Sequence, residues 1–186
     1  DDSSIDSVNY RAHTFIVQDS AKEKQTYRPF IVVKDRFDCS YSYKTPDSVL
    51  VYSYPKAGFN INKAKGCNPE TFTLTDSSLF AYKWHWYFDD GDTLKDSFRV
   101  ARHRFTTGKY NPTLIVENAI GCTDTSIFKR LRVFDTPIAN FKPLDTLTCV
   151  GKLVSFKDSS KAKHEIVKWQ WNFGDTLSNI DTSTNK

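Results

Sequence analysis

Through the middle of the chain, apolar and polar positions alternate in short runs with a period of two. Phe72 and Leu74 stand among Thr71, Thr73 and Thr75, and Trp84, Trp86 and Phe88 are separated by His85 and Tyr87. Tyr110, Leu114 and Val116 are spaced by polar or turn residues, and Phe128, Leu131 and Val133 recur among Lys129, Arg130 and Arg132. Runs this short, rich in β-branched and aromatic residues, predict half-buried strands rather than amphipathic helices. The breaks between them fall at Asn68-Pro69, Asp76-Ser77-Ser78, Asp89-Asp90-Gly91-Asp92, Thr107-Gly108-Lys109 and Gly121, where turn-forming residues gather. Roughly seven strands in about 80 residues predict an antiparallel β-sandwich.

The pattern repeats. Sliding the chain along itself sets Phe59 on Phe141, Cys67 on Cys149, Phe72 on Val154, Leu74 on Phe156 and Asp76-Ser77-Ser78 on Asp158-Ser159-Ser160. With a slightly longer shift, the Trp84–Phe88 run meets Trp169, Trp171 and Phe173. A similar shift matches the N-terminal stretch to the middle: Tyr27 with Tyr110, Ile31–Val33 with Leu114–Val116, and Cys39 with Cys122. His13 and Phe15 likewise correspond to His103 and Phe105, across a longer loop. The expected organisation is therefore the back half of one unit (1–54), a complete unit (55–135) and the front of a third (136–186).

Composition narrows the class of function. An aromatic share of 15% argues against wholesale disorder. The net charge of +4 is spread thinly, with no basic run to follow a phosphate backbone, so nucleic acid is not an expected partner. No apolar stretch approaches the roughly 18–20 residues of a spanning helix, so no membrane insertion is expected within the segment. No leader-like segment opens the chain, and it holds no methionine, as expected of a piece of a longer protein. The four cysteines form no C-x-x-C pair, and no Cys or His lies near His85 or His164 at ligand spacing in the sequence, which argues against zinc. No G-x-S-x-G, ordered Ser-His-Asp set or paired-carboxylate constellation is apparent, so no enzyme is expected.

Several ordered motifs together resemble the polycystic kidney disease (PKD) repeat. They are the apolar-Thr-Asp-Ser-Ser turn, Trp84–Gly91, His103–Phe105, Gly108–Tyr110 and Glu117-Asn118 through Gly121-Cys122, with Trp169–Asp175 repeating the second of these. Two departures fall in the turn after the tryptophan strand: Asp89 stands where the family usually has glycine, and Thr176 where Gly91 would recur. The resemblance implies tandem Ig-like antiparallel β-sandwiches set end to end in extracellular or cell-surface proteins. The cysteine-flanked form is similar to modules in surface proteins of gliding, type IX-secreting bacteria.

Within that resemblance, Cys67 and Cys122 are expected to bridge the two ends of the complete unit. The closed loop of about 56 residues would stabilise it by about 4 kcal/mol. Cys39 and Cys149 would have partners outside the sequence. Trp84, Trp86, Phe88, Trp169, Trp171 and Phe173 are expected to be core, since features shared between units are architecture. Asp89, Asp90 and Asp92 are candidate Ca²⁺ ligands, with a tight turn as the competing explanation and only Asp175 repeated in the third unit. Arg99, Arg102 and Arg104, with Lys129, Arg130 and Arg132, are unique to the middle unit; they are either a contact for an anionic glycan or a solvated strand face. Tyr41, Tyr43, Phe80, Tyr82 and Tyr87 are candidates for polymer contact. The linkers Ser53-Tyr54-Pro55 and Asp135-Thr136-Pro137 are short and proline-containing, which favours a stiff rod. The expected function is a non-enzymatic stalk or adhesin segment whose partners are its neighbouring modules and a surface polysaccharide or matrix polymer. The alternative is an accessory polymer- or glycan-binding module of a secreted hydrolase.

Overall fold

Alternation of the kind seen at Phe72 and Leu74 buries one face of a strand and leaves the other to water. The computed structural model follows that rule across residues 12–95, 98–174 and the backbone of 181–183, the residues it describes. Among them every regular element is a strand. The N-terminal strands are β1 (Lys24–Tyr27), β2 (Phe30–Lys34), β3 (Ser40–Lys44) and β4 (Val49–Tyr52). The middle holds β5 (Phe59–Ile61), β6 (Lys65–Cys67), β7 (Glu70–Asp76), β8 (Lys83–Tyr87), β9 (Thr93–Lys95), β10 (Val100–Phe105), β11 (Gly108–Tyr110), β12 (Thr113–Glu117), β13 (Thr123–Ile127) and β14 (Leu131–Phe134). After them come β15 (Phe141–Pro143), β16 (Phe156–Asp158), β17 (Trp169–Trp171) and β18 (Asp181–Ser183).

The middle strands make a two-layer sandwich. One layer is ordered β10-β7-β5, and the other consists of β13-β12-β8-β9 continued by β11-β14-β6. The second layer is interrupted because Pro112 has no N–H to give to a ladder. Its carbonyl instead accepts from Phe128 N (2.9 Å), and Asn111 Oδ1 accepts from Arg130 N (3.3 Å) at a residue with φ of 76°. Two long strands thereby become β11–β12 and β13–β14, which is why more elements form than the alternation predicts.

The core lies wholly between these layers. Phe72, Leu74, Ala101, Phe105, Leu114, Val116 and Leu131 are fully buried, joined by Trp86, Phe88 and Val133. Phe59 meets Trp86 edge to face at 5.2 Å, and Phe72 meets Phe105 at 5.6 Å. Trp84 departs from the expectation: it is only half-buried at the margin of this cluster, and its Nε1 has no partner.

The sequence repeat recurs as hydrogen bonds. Ser78 Oγ accepts from Gly58 N (3.0 Å) and Ser78 N donates to Asp76 Oδ1 (2.9 Å). One repeat later, Ser160 makes the same two bonds to Asn140 and Asp158 at 3.0 and 2.9 Å. The Asn118–Cys122 turn has its counterpart one repeat earlier: Asn118 Oδ1 accepts from Ile120 N and Cys122 N, and Asp35 Oδ1 from Phe37 N and Cys39 N. The β2–β3 and β12–β13 pairs also share a register, with Phe30 opposite Lys44 and Thr113 opposite Ile127. The flanks differ in cover. Ile31 and Val33, counterparts of the buried Leu114 and Val116, are 58% and 54% exposed.

Candidate functional site

The first candidate group is the acidic turn after β8. Asp89, with φ of 65°, swings its carboxylate away from its neighbours, and its Oδ2 accepts from Asn111 N (2.8 Å) and Asn111 Nδ2 (3.3 Å). It therefore caps the break before Pro112. Asp90 Oδ1 accepts from Asp92 N (3.1 Å), while its Oδ2 lies 2.6 Å from His103 Nε2. The His103 ring stacks on Phe88 at 4.0 Å, nearly parallel.

Of the three expected calcium ligands, Asp90 and Asp92 come together and Asp89 turns away to Asn111. Among the described residues, the grouping is Asp90, Asp92 and His103, with ligand atoms within 4.8 Å of one another. Calcium favours an all-oxygen shell of six to eight ligands, and here a histidine replaces one carboxylate and is already paired to another. The arrangement reads as a clamp that fixes the turn onto β10. Asp175, the third unit's carboxylate, and Thr176 lie outside the described residues. His103 is legible as a repeated H-x-F residue, but nothing in its spacing names Asp90 as its partner.

The arginines separate into two kinds. Arg102 and Arg104 alternate outward on β10, opposite Thr73 and Thr71, and are exposed with Lys129, Arg130 and Arg132. Arg99 is committed: its Nε meets Asp76 Oδ2 at 3.0 Å, and its guanidinium lies 5.6 Å from the Trp84 ring centroid. Asp76 is fully buried in its side chain, so Arg99 answers a charge that water does not reach. In the third unit Trp169 Nε1 donates to the matching Asp158 Oδ2 at 3.2 Å. Replacing Arg99 by leucine is expected to destabilise the sandwich by about 1–3 kcal/mol in urea unfolding. The double change Arg99→Leu with Asp76→Leu should recover part of that loss, because no buried carboxylate is then left unanswered.

The aromatic candidates are scattered. Tyr82 is 66% and Tyr87 38% exposed, Tyr41 and Tyr43 lie on β3, and Phe80 is half-buried. A cleft of about 280 Å³ lies between Phe141, Asp158, Ile166, Trp169 and Trp171. Its counterpart in the middle unit is closed by the Phe98–Phe105 segment: Trp86 Nε1 donates to Phe98 O (2.9 Å), and β10 pairs along β7. The cleft thus matches a core position of the middle unit, and a counterpart of the Phe98–Phe105 segment lies outside the described residues. Phe141 meets Trp171 at 5.3 Å, as Phe59 meets Trp86, and Phe156 and Phe173 join them, but Trp169 and Trp171 are only half-buried and Phe173 is exposed, not the core positions expected of them.

The expected Cys67–Cys122 bridge is overturned. Cys67 is registered with Phe134 at the end of β14, whereas Cys122 immediately precedes β13. The β13–β14 run between them, at about 3.3 Å per residue, separates the two by about 30 Å. A disulfide needs Cα atoms within about 7 Å. All four cysteines are free thiols, with Cys39, Cys67 and Cys149 exposed and Cys122 half-buried.

Polar contacts hold both linkers. On the first, Asn118, 1% exposed, donates from Nδ2 to Ser53 O (3.0 Å), and Asp124 Oδ2 accepts from Ala57 N (2.7 Å). Ser53 is also tied back to Glu23 O and Lys22 O, and Pro55 is buried. On the second, Thr136 Oγ1 donates to Asn68 O and Thr107 Oγ1 to Asp135 Oδ1 (2.6 Å). Lys163 Nζ reaches Asp135 Oδ2 (3.4 Å), and the Phe134 and His164 rings meet at 5.6 Å.

The Thr107 hydroxyl, aided by Lys163, holds the Asp135 carboxyl below its ordinary range. With the folded pKa below the unfolded one, the contribution is complete above the usual aspartate value of about 3.9 and is lost as pH falls through the lowered value. A nuclear Overhauser contact between Phe134 and His164 should therefore survive acidification into the ordinary aspartate range and weaken only as the pH falls further, through the lowered value. Asp135→Asn should weaken it at neutral pH. Because Lys163 is largely exposed, 0.5 M salt should weaken it too.

No protein-family model matches the chain, and no curated protein matches it. A solved structure concerned with the promiscuous specificity of carbohydrate-binding modules from the beta-sandwich super family is similar at a TM-score of 0.41 and 15% identity. The likeness covers 56% of this chain and 52% of that one, so the chain spans about half the length of that structure.

Proposed function

We propose that the chain is a run of tandem PKD-like sandwiches, with units at 1–54, 55–135 and 136–186, from a secreted or cell-surface protein. Its role is that of a non-enzymatic, stiff spacer that holds other parts of the protein at a distance. The supporting observation is the bonding of the linkers. Ser53 is gripped by Asn118 from one side and by the Lys22–Glu23 turn from the other, while Asp135 is shared by Thr107 and Lys163. A linker held on both sides loses the rotational freedom that lets neighbouring domains swing. A surface attachment or gliding role follows from this reading as the setting in which such a spacer works.

Small-angle X-ray scattering on the full chain tests it. An elongated particle whose maximum dimension is unchanged between low and moderate salt is expected. A compact or broadly distributed particle would contradict the spacer role. Strong co-sedimentation with an insoluble polysaccharide, abolished by Tyr82→Ala or by Arg102→Ala with Arg104→Ala, would replace it with the accessory binding module.

A further inference from the structure

Two cysteines stand at opposite ends of one sandwich, and the repeat puts matching cysteines at facing ends of consecutive ones. We propose that each Cys67-type cysteine forms a disulfide with the Cys122-type cysteine of the unit that follows it, stapling successive units across their junction. This deepens the spacer reading and rests on its tandem order.

The first linker supplies the facing geometry. Cys67 lies beside Phe134, its parallel-register partner, and Asn68 N donates to Phe134 O (2.8 Å). Tyr52 is the counterpart of Phe134 one repeat earlier and ends β4 as Phe134 ends β14. A Cys67 counterpart in the preceding unit would therefore lie beside Tyr52, next to Ser53. The Ser53 carbonyl is the group that Asn118 Nδ2 holds at 3.0 Å, and the same side chain accepts from Cys122 N at 2.9 Å. One asparagine thus joins the Cys122 turn to the end of the strand beside which the other sulfur belongs.

The second linker repeats the arrangement from the other side. There the Cys67 end meets the next unit's Lys163 and His164, through Asp135 and Phe134. In the middle unit the matching segment lies against the cysteine turn, since Tyr82 N donates to Glu117 O (2.8 Å) just ahead of Asn118. Cys39 sits in the same turn as Cys122, and Cys149 corresponds to Cys67. Every partner position then falls outside residues 1–186, in accord with four free thiols. Each staple forms one S–S bond from two thiols, releasing two protons and two electrons to a disulfide oxidant. With oxidised glutathione, two molecules of the reduced tripeptide are the by-product.

The test duplicates residues 54–135 in tandem within the otherwise complete chain, with Cys39 and Cys149 changed to serine. One form keeps only Cys67 of the first copy and Cys122 of the second; the other keeps both cysteines of a single copy. After incubation with oxidised glutathione, the first form should lose both alkylatable thiols and two hydrogens in mass. The second should remain fully alkylatable. Two free thiols in the first form, or a bridge in the second, would overturn the proposal. Near-UV circular dichroism on the reduced proteins, against the unduplicated chain, establishes that both are folded before oxidation. Scattering from the same reduced samples reads the stacking of the copies separately. A stacked pair with free thiols defeats the staple alone, and a freely bending pair defeats the spacer reading.

Discussion

Replacing Trp86 by alanine should cost the sandwich about 3–5 kcal/mol. That is a large share of the roughly 5–15 kcal/mol that holds a typical domain together. The indole is 1% exposed and packs edge to face on Phe59. Its Nε1 satisfies the Phe98 carbonyl at 2.9 Å, so the alanine variant loses this hydrogen bond as well as the ring. The urea midpoint should fall steeply and near-UV dichroism should be lost. Trp84→Ala should cost markedly less, because that ring is half-buried and its Nε1 already lacks a partner. Equal losses at the two positions would mean that the core is not organised around β8 as described.

Removing Asn118 carries the second large effect. Its Oδ1 accepts from Ile120 N and Cys122 N, its Nδ2 donates to Ser53 O, and the residue is almost fully buried. Asn118→Ala leaves those three groups without their partner and should destabilise the chain by about 2–4 kcal/mol in urea unfolding. Asn118→Asp retains an acceptor for the turn, as Asp35 does in the N-terminal unit, but cannot donate to Ser53. It should keep more of the sandwich's stability while lowering amide-exchange protection across residues 53–57. If both variants fall equally and the linker stays protected, the bond to Ser53 does not couple the units.

Most of the architecture can be read from the order of residues. Period-two alternation identifies β7, β8, β12 and β14 because a strand's buried face repeats every second residue. The repeat identifies the turns, since Asp76-Ser77-Ser78 and its counterpart form the same bonds. What spacing leaves open is which end of a sandwich a residue occupies. Cys67 precedes β7 and Cys122 follows β12, and their separation depends on strand direction and on the parallel pairing of β6 with β14. A three-residue strand with little apolar content gives no such signal. The His103–Asp90 clamp and the Lys163–Asp135 contact are hidden for the same reason, as each joins residues from separate elements. Trp84 shares the parity of Trp86 but lies one position beyond the part of β8 that β9 pairs, and parity alone does not ensure its burial.

The proposed stiffness between the units rests on the way their linkers are bonded. A direct measurement is the electron–electron distance between spin labels on Cys39 and Cys67, with Cys122 and Cys149 changed to serine. Both labelled cysteines are exposed, and the pair spans the first linker. A single narrow distance distribution, no wider than the labels' own rotamers and broadened by Asn118→Asp, is the predicted result. A broad distribution in the parent protein, unchanged by that substitution, would contradict the claim that bonded linkers hold the sandwiches in line.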